Sequence, residues 1–123
     1  MVPESMAGEA LPTRGHIAAL NRIGRCAEGE IQGRQAVALA ERLYPGENDP
    51  RVARVQAWLG ESLVCLKRYD EAEAILLRCY ELQNAATGLP KRDAPLVATI
   101  LAQLYDRSGK PDEAQRWAAR GPR

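Results

Sequence analysis

The chain has 123 residues, 17 basic and 16 acidic for a formal net charge of +1, and 46% of it is hydrophobic, a balance that fits one globular domain with a buried core. Charges of both signs are mixed along it, which excludes the single-sign field that gathers nucleic acid or anionic lipid. No stretch approaches the roughly 18 uncharged apolar residues of a membrane span, and Met1-Val2-Pro3-Glu4-Ser5-Met6 lacks the basic and apolar regions of a secretory signal, so the expected compartment is the cytoplasm.

Residues 1–15 carry Pro3, Gly8, Pro12 and Gly15 with little apolar periodicity and are expected to form a flexible leader. Order is expected over 16–120. Ile17, Leu20, Ile23 and Ala27 predict a first helix that ends at a break around Glu28-Gly29, and Ala36, Val37, Ala40 and Leu43 predict a second. A loop over 43–50 follows. Asp49-Pro50 then marks a helix start, because an Asp side chain accepts bonds from the first free amides and Pro is pre-set for the first helical position. Val52, Val55, Leu59, Leu63 and Leu66 share one face of that helix.

Lys67-Arg68-Tyr69 reads as a turn, and Ala72, Ile75, Leu76, Cys79 and Leu82 form the ladder of an antiparallel partner helix. Beyond a loop over 85–95, with Asp93 as a candidate cap, Val97, Leu101, Leu104 and Tyr105 give another ladder. Ser108-Gly109-Lys110-Pro111 turns it into Ala114, Trp117 and Ala118, and residues 121–123 form a short tail. The basic pairs Lys67-Arg68 and Lys91-Arg92 read as solvated loop or helix-end charge.

A pattern of small residues recurs three times: Ile23-Gly24 with Ala36, Leu59-Gly60 with Ala72, and Leu101-Ala102 with Ala114, the small residues twelve apart in each. Arg34-Gln35-Ala36, Asp70-Glu71-Ala72 and Asp112-Glu113-Ala114 would open the second helices. Two helices joined by a short turn pack tightly only where both backbones present little side chain. Gly24, Gly60 and Ala102 are therefore the expected crossing points on the first helices, facing Ala36, Ala72 and Ala114.

At these residues the chain resembles a tetratricopeptide-repeat protein. The middle unit is the most specific: Trp58-Leu59-Gly60 through Tyr69-Asp70-Glu71-Ala72 to Cys79-Tyr80-Glu81-Leu82. Units spaced 36 residues (Ala36 to Ala72) and 42 residues (Ala72 to Ala114) exceed the commonest period of about 34. The longer spacing resembles the repeats of kinesin light chains and of the helical tails of bacterial serine/threonine kinases. The resemblance covers about residues 16–120 and is weakest in the first unit, where Gly33 stands in place of a turn aromatic. After the third unit, Arg120-Gly121-Pro122-Arg123 leaves no room for the solvating helix that commonly closes such arrays.

The resemblance implies an all-α, right-handed superhelix of about three antiparallel helix pairs, holding a peptide or helix of another protein on an inner wall built from the first helix of each pair. Carried over unit by unit, the inward positions are Asn21 and Arg25; Arg54, Ala57, Trp58, Glu61 and Val64; and Leu96, Thr99, Ile100, Gln103 and Arg107. Trp58, Val64, Leu96 and Ile100 would form an apolar strip, and Arg25, Arg54 and Arg107 would pair with carboxylates. The family's chaperone-tail type grips a terminal carboxylate through lysines, an arginine and asparagines. Trp58, Leu96 and Ile100 occupy several of those places, so chaperone carboxy-terminal peptides are not expected to bind.

Catalysis, cofactors and metals are not expected. The only histidine, His16, stands at the edge of the leader, and Glu71, Glu73, Asp112 and Glu113 near helix starts suit the macrodipole better than proton transfer. Cys26, Cys65 and Cys79 are odd in number and far apart, which supports neither a zinc site nor a disulfide framework, and Cys79 reads as a small hydrophobe in its ladder. The rival reading is an assembly module: without a closing helix, Val97, Leu104 and Trp117 would stay partly uncovered and be buried in a homodimer. A detached regulatory tail of a bacterial signalling protein is the third.

Overall fold

The computed structural model describes residues 13–85 and 93–122. Among them are six α-helices and no strand: α1 Arg14–Arg22, α2 Cys26–Leu43, α3 Pro50–Cys65, α4 Tyr69–Ala85, α5 Asp93–Arg107 and α6 Pro111–Ala118. The Thr13 hydroxyl accepts the His16 amide at 3.2 Å, so α1 starts two residues before the expected onset of order. Most of the expected leader and the pair Lys91-Arg92 lie outside the described residues.

The six helices form three consecutive hairpins that turn on one backbone motif. In the first, the Arg25 amide donates to the Leu20 carbonyl (2.8 Å) and the Gly24 amide to that of Asn21 (3.2 Å). The Arg68–Leu63 and Lys67–Val64 bonds repeat this at 2.9 and 3.0 Å, and the Lys110–Tyr105 and Gly109–Asp106 bonds at 2.8 and 3.3 Å. Such paired bonds end a helix on a residue of left-handed backbone, here Gly24 (φ 86°), Lys67 (φ 63°) and Gly109 (φ 84°). These turns stand 43 and 42 residues apart, so the long spacing runs through all three units.

The first unit is therefore registered differently from its sequence expectation. Its break falls at Gly24, and Glu28-Gly29 lies inside α2, as do Gly33 and Arg34-Gln35-Ala36. Gly24 is a turn residue and no crossing point, and Gly29 takes the place that Ala72 and Ala114 hold, five residues after each turn. Ile23, expected on the buried ladder, caps α1 and is 66% exposed, and Ala27 faces solvent from α2.

Gly29 and Gly33 are instead the positions where α2 meets α3. A Cβ on Gly33 would stand 3.2 Å from the Leu59 Cα, and one on Gly29 would stand 2.9 Å from Ser62 Oγ. Ala36 and Ala40 continue this buried stripe. In the second hairpin Gly60 meets Leu76, whose Cδ2 would be 2.7 Å from an added Cβ, one turn beyond the expected partner Ala72.

Local capping follows the residues. The Asp49 carboxylate accepts the Arg51 amide at 2.8 Å with Pro50 in the first helical position, and Pro111 opens α6 after Lys110. Asp70 and Glu71, and Asp112 and Glu113, fall in the first turns of α4 and α6, where negative charge suits the helix dipole. The core joins Leu59, Leu63 and Val64 of α3, Leu76 and Cys79 of α4, and Val97, Ile100, Leu101 and Leu104 of α5. Val97 and Leu104, expected to lie partly uncovered, are 1% and 2% exposed. Trp117 is half-buried, edge-on to Tyr80 with ring centres 4.9 Å apart.

Within the second hairpin, buried Gln83 of α4 donates from Nε2 to the Pro50 carbonyl at the start of α3 at 2.8 Å, and a second polar tie joins the first hairpin to the second. On the second helices, Glu30 accepts from Arg34 (2.8 Å) and Arg68 (2.7 Å), and Glu71 accepts from the same two arginines (3.1 and 2.7 Å), closing a four-membered charge ring between α2 and α4. The first helices pack directly on one another, α1 on α3 and α3 on α5. The result is an α-solenoid of helix pairs with α1, α3 and α5 as one wall.

Candidate functional site

A cavity of about 500 Å³ opens on the wall made by α1, α3 and α5. Arg14, Gly15, Ala18, Asn21 and Arg22 line it from α1, Glu61, Val64 and Cys65 from α3, and Gln103 and Arg107 from α5. Three cations thus face one carboxylate, Glu61, whose Oε2 lies 3.7 Å from the Arg14 guanidinium. The Asn21 side-chain oxygen accepts from Ser62 Oγ at 3.1 Å. Asn21 Nδ2 and Arg14 Nε are buried with no hydrogen-bond partner among the described residues. An orphaned buried donor costs on the order of 1–3 kcal/mol, which an incoming acceptor relieves.

The helix starts and turns explain the arrangement. Five residues of the nine-residue α1 reach the cavity because α1 lies directly against α3. Arg22 and Arg107 occupy equivalent places, two residues before their left-handed turn glycines, so the repeat sets one arginine on either flank of α3.

Of the inward positions expected from sequence, Asn21, Glu61, Val64, Gln103 and Arg107 line this cavity. Arg25 does not: it precedes α2 and binds Glu28 through Nε at 2.8 Å. Ala57 and Ile100 are 2% and 1% exposed, because α3 is packed between neighbouring first helices, and their side chains belong to the core. Trp58, Leu96, Arg54 and Thr99 are half-buried outside the cavity lining, and the Thr99 hydroxyl donates to the Pro95 carbonyl at 3.1 Å. With Ile100 interior, the expected apolar strip is not continuous. Arg14 and Arg22 were missed, since the register placed Arg14 in the leader; the turn glycine Gly24 was the signal that could have found Arg22.

The cysteines also depart from expectation. Cys26 at the start of α2 and Cys65 at the end of α3 are joined as a disulfide with Cα atoms 5.9 Å apart, a span natural to that bond. Cys79 is the buried hydrophobe expected of it, its thiol pushed up to about 12 by burial.

A second cavity, of about 600 Å³, lies at the loop between α2 and α3 and includes Glu41, Glu47, Asn48, Asp49 and Arg78. Asp49 is committed to capping α3 and pairing Arg51, and Arg78 donates to the Asn48 side-chain oxygen. Those polar groups serve the loop. No cluster of three potential metal ligands occurs among the described residues, and no described helix is long and apolar enough to cross a membrane.

A family model for the tetratricopeptide repeat matches residues 51–121, which span the second and third hairpins. No curated protein and no solved structure matches the chain.

Proposed function

The chain belongs to the tetratricopeptide-repeat family, whose repeats generally mediate protein–protein interaction, and from that premise we propose that it is a non-catalytic adaptor holding an acidic peptide or helix of another protein on the α1–α3–α5 wall. The observation that carries this reading is the pair of orphaned buried donors, Asn21 Nδ2 and Arg14 Nε, in a cavity flanked by Arg22 and Arg107. Carboxylates accept from both kinds of group, and guanidinium–carboxylate pairs are the stronger, geometrically specific contacts. The stems of Gln103 and Arg107 supply the apolar part of the surface over buried Val64, and Trp58, Leu96 and Thr99 extend it for a longer ligand. The reading places the protein in the cytoplasm without nucleic acid or membrane as partner, on the mixing of both signs of charge along the sequence. The turn spacing of 43 and 42 residues supports a likeness to the long repeats of kinesin light chains and kinase tails.

The assembly reading loses its main support, since Val97 and Leu104 are interior. A random-peptide display library panned against the chain tests the proposal. Enriched sequences should be rich in Asp and Glu, and the joint Arg22→Glu and Arg107→Glu variant should bind them at least tenfold more weakly. Arg34→Glu, on the second-helix face, should leave binding unchanged. Equal affinity in the groove variant would refute the site, and a concentration-dependent dimer by light scattering would favour the assembly module.

A further inference from the structure

We propose that Cys26 and Cys65 are an exchangeable disulfide clasp, a thiol-modification site open to a small-molecule thiol, and that the bond fixes α1 against the rest of the solenoid. The two residues are 39 apart in sequence, yet one opens α2 and the other closes α3 with their Cα atoms 5.9 Å apart. Both sulfurs lie 3.6 Å from the Asn21 carbonyl oxygen, so the bond sits beneath the last turn of α1. Cys65 is partly exposed and lines the groove cavity, which gives an attacking thiolate a way in, whereas Cys26 is 8% exposed. Exchange therefore begins at Cys65.

The bond adds a covalent anchor to the packing of α1 on α2 and α3 and its Asn21–Ser62 hydrogen bond, and a helix this short needs it. Helices of nine residues are marginal alone, and only Ile17 and Leu20 of α1 are buried. The third thiol does not compete: Cys79 is fully buried and its high pKa keeps it protonated, and only thiolates attack a disulfide. In the exchange, a small thiolate bonds to Cys65 Sγ as the Cys26–Cys65 bond breaks, and Cys26 leaves as a thiolate that takes up a proton. A second small thiolate then bonds to the first small-molecule sulfur, releasing Cys65. The protein gains two electrons and two protons, and two small thiols become one disulfide. The clasp stands whether or not the groove takes an acidic peptide.

The test equilibrates the full chain with oxidised or reduced glutathione, then alkylates it after denaturation and weighs it. Cys79 alone should label in the oxidised protein, and all three cysteines in the reduced one. Hydrogen exchange of the α1 amides should quicken at least tenfold on reduction, with Tm lower by ~10 °C. Cys65→Ser should abolish the redox dependence and Cys79→Ser should retain it; reduction of the parent chain supplies the same comparison if Cys65→Ser does not fold. Three labels under both conditions, or α1 exchange indifferent to the bond, would overturn the proposal.

Discussion

Ser62 donates its hydroxyl hydrogen to the Asn21 side-chain oxygen across 3.1 Å, tying α3 to α1 at the floor of the groove. Gly29 of α2 closes over both, since a Cβ there would collide with Asn21 Oδ1 and crowd Ser62 Oγ, which is fully buried. Three helices thus meet at one polar contact, and the Asn21 Nδ2 donor is left without a partner among the described residues. Ser62→Ala should leave the Asn21 oxygen without its donor and cost about 1–2 kcal/mol by chemical denaturation. A parent-like midpoint would show that the contact does not tie the first hairpin down.

Gly60 is needed for proximity. A Cβ there would stand 2.7 and 2.8 Å from Leu76 Cδ2 and Cγ, and Leu76 has no exposed surface into which to move. Gly→Ala in a helix normally gains about 1 kcal/mol, but overpacking of this kind costs about 1–3. Gly60→Ala should therefore melt below the parent and Gly60→Leu lower still, whereas Gly46→Ala, with open space around it, should be near neutral.

The three turns make an internal experiment. Lys67 adopts the left-handed conformation that Gly24 and Gly109 adopt in the other hairpins, and a side chain there is strained. Lys67→Gly is expected to stabilise by about 0.5–1 kcal/mol, and Gly24→Ala and Gly109→Ala to destabilise by about the same. Thermal melts check all three signs.

Acid should loosen the tie between the first two hairpins. Hydrogen bonds from Arg34 and then Arg68 hold Glu30 and Glu71 below the ordinary value of 4.5. A carboxylate depressed in the folded state stabilises fully above its unfolded pKa, and that contribution is lost as pH falls through the folded one. Glu71 is 40% exposed, so the ring is worth under about 1 kcal/mol and is screened by salt. The Tm difference between the parent and Arg34→Gln should shrink between about pH 6 and pH 3, and shrink in ~1 M salt at neutral pH.

The second and third hairpins were legible because each announces itself locally: Asp49-Pro50 caps, Ser108-Gly109-Lys110-Pro111 turns, and the apolar ladders face one core. The first was misregistered because a glycine inside a helix and a glycine ending one look alike in sequence. Gly29 and Gly33 lie within α2 for close approach to α3, and Gly24 makes the turn; only the tertiary contact separates the two roles. The Cys26–Cys65 pairing follows from that same α2–α3 contact, which nothing near either cysteine encodes. Burial of Ala57 and Ile100 likewise depends on neighbouring hairpins.

The central claim is that a partner chain lies along α1, α3 and α5. The most direct measurement is amide and side-chain NMR of the labelled chain titrated with an acidic peptide selected from the display library. The account predicts perturbations concentrated at Asn21, Arg22, Glu61, Gln103 and Arg107, with the Asn21 side-chain amide among the largest. Perturbations confined to the second helices, around Arg34, Arg68 and Glu71, would contradict it.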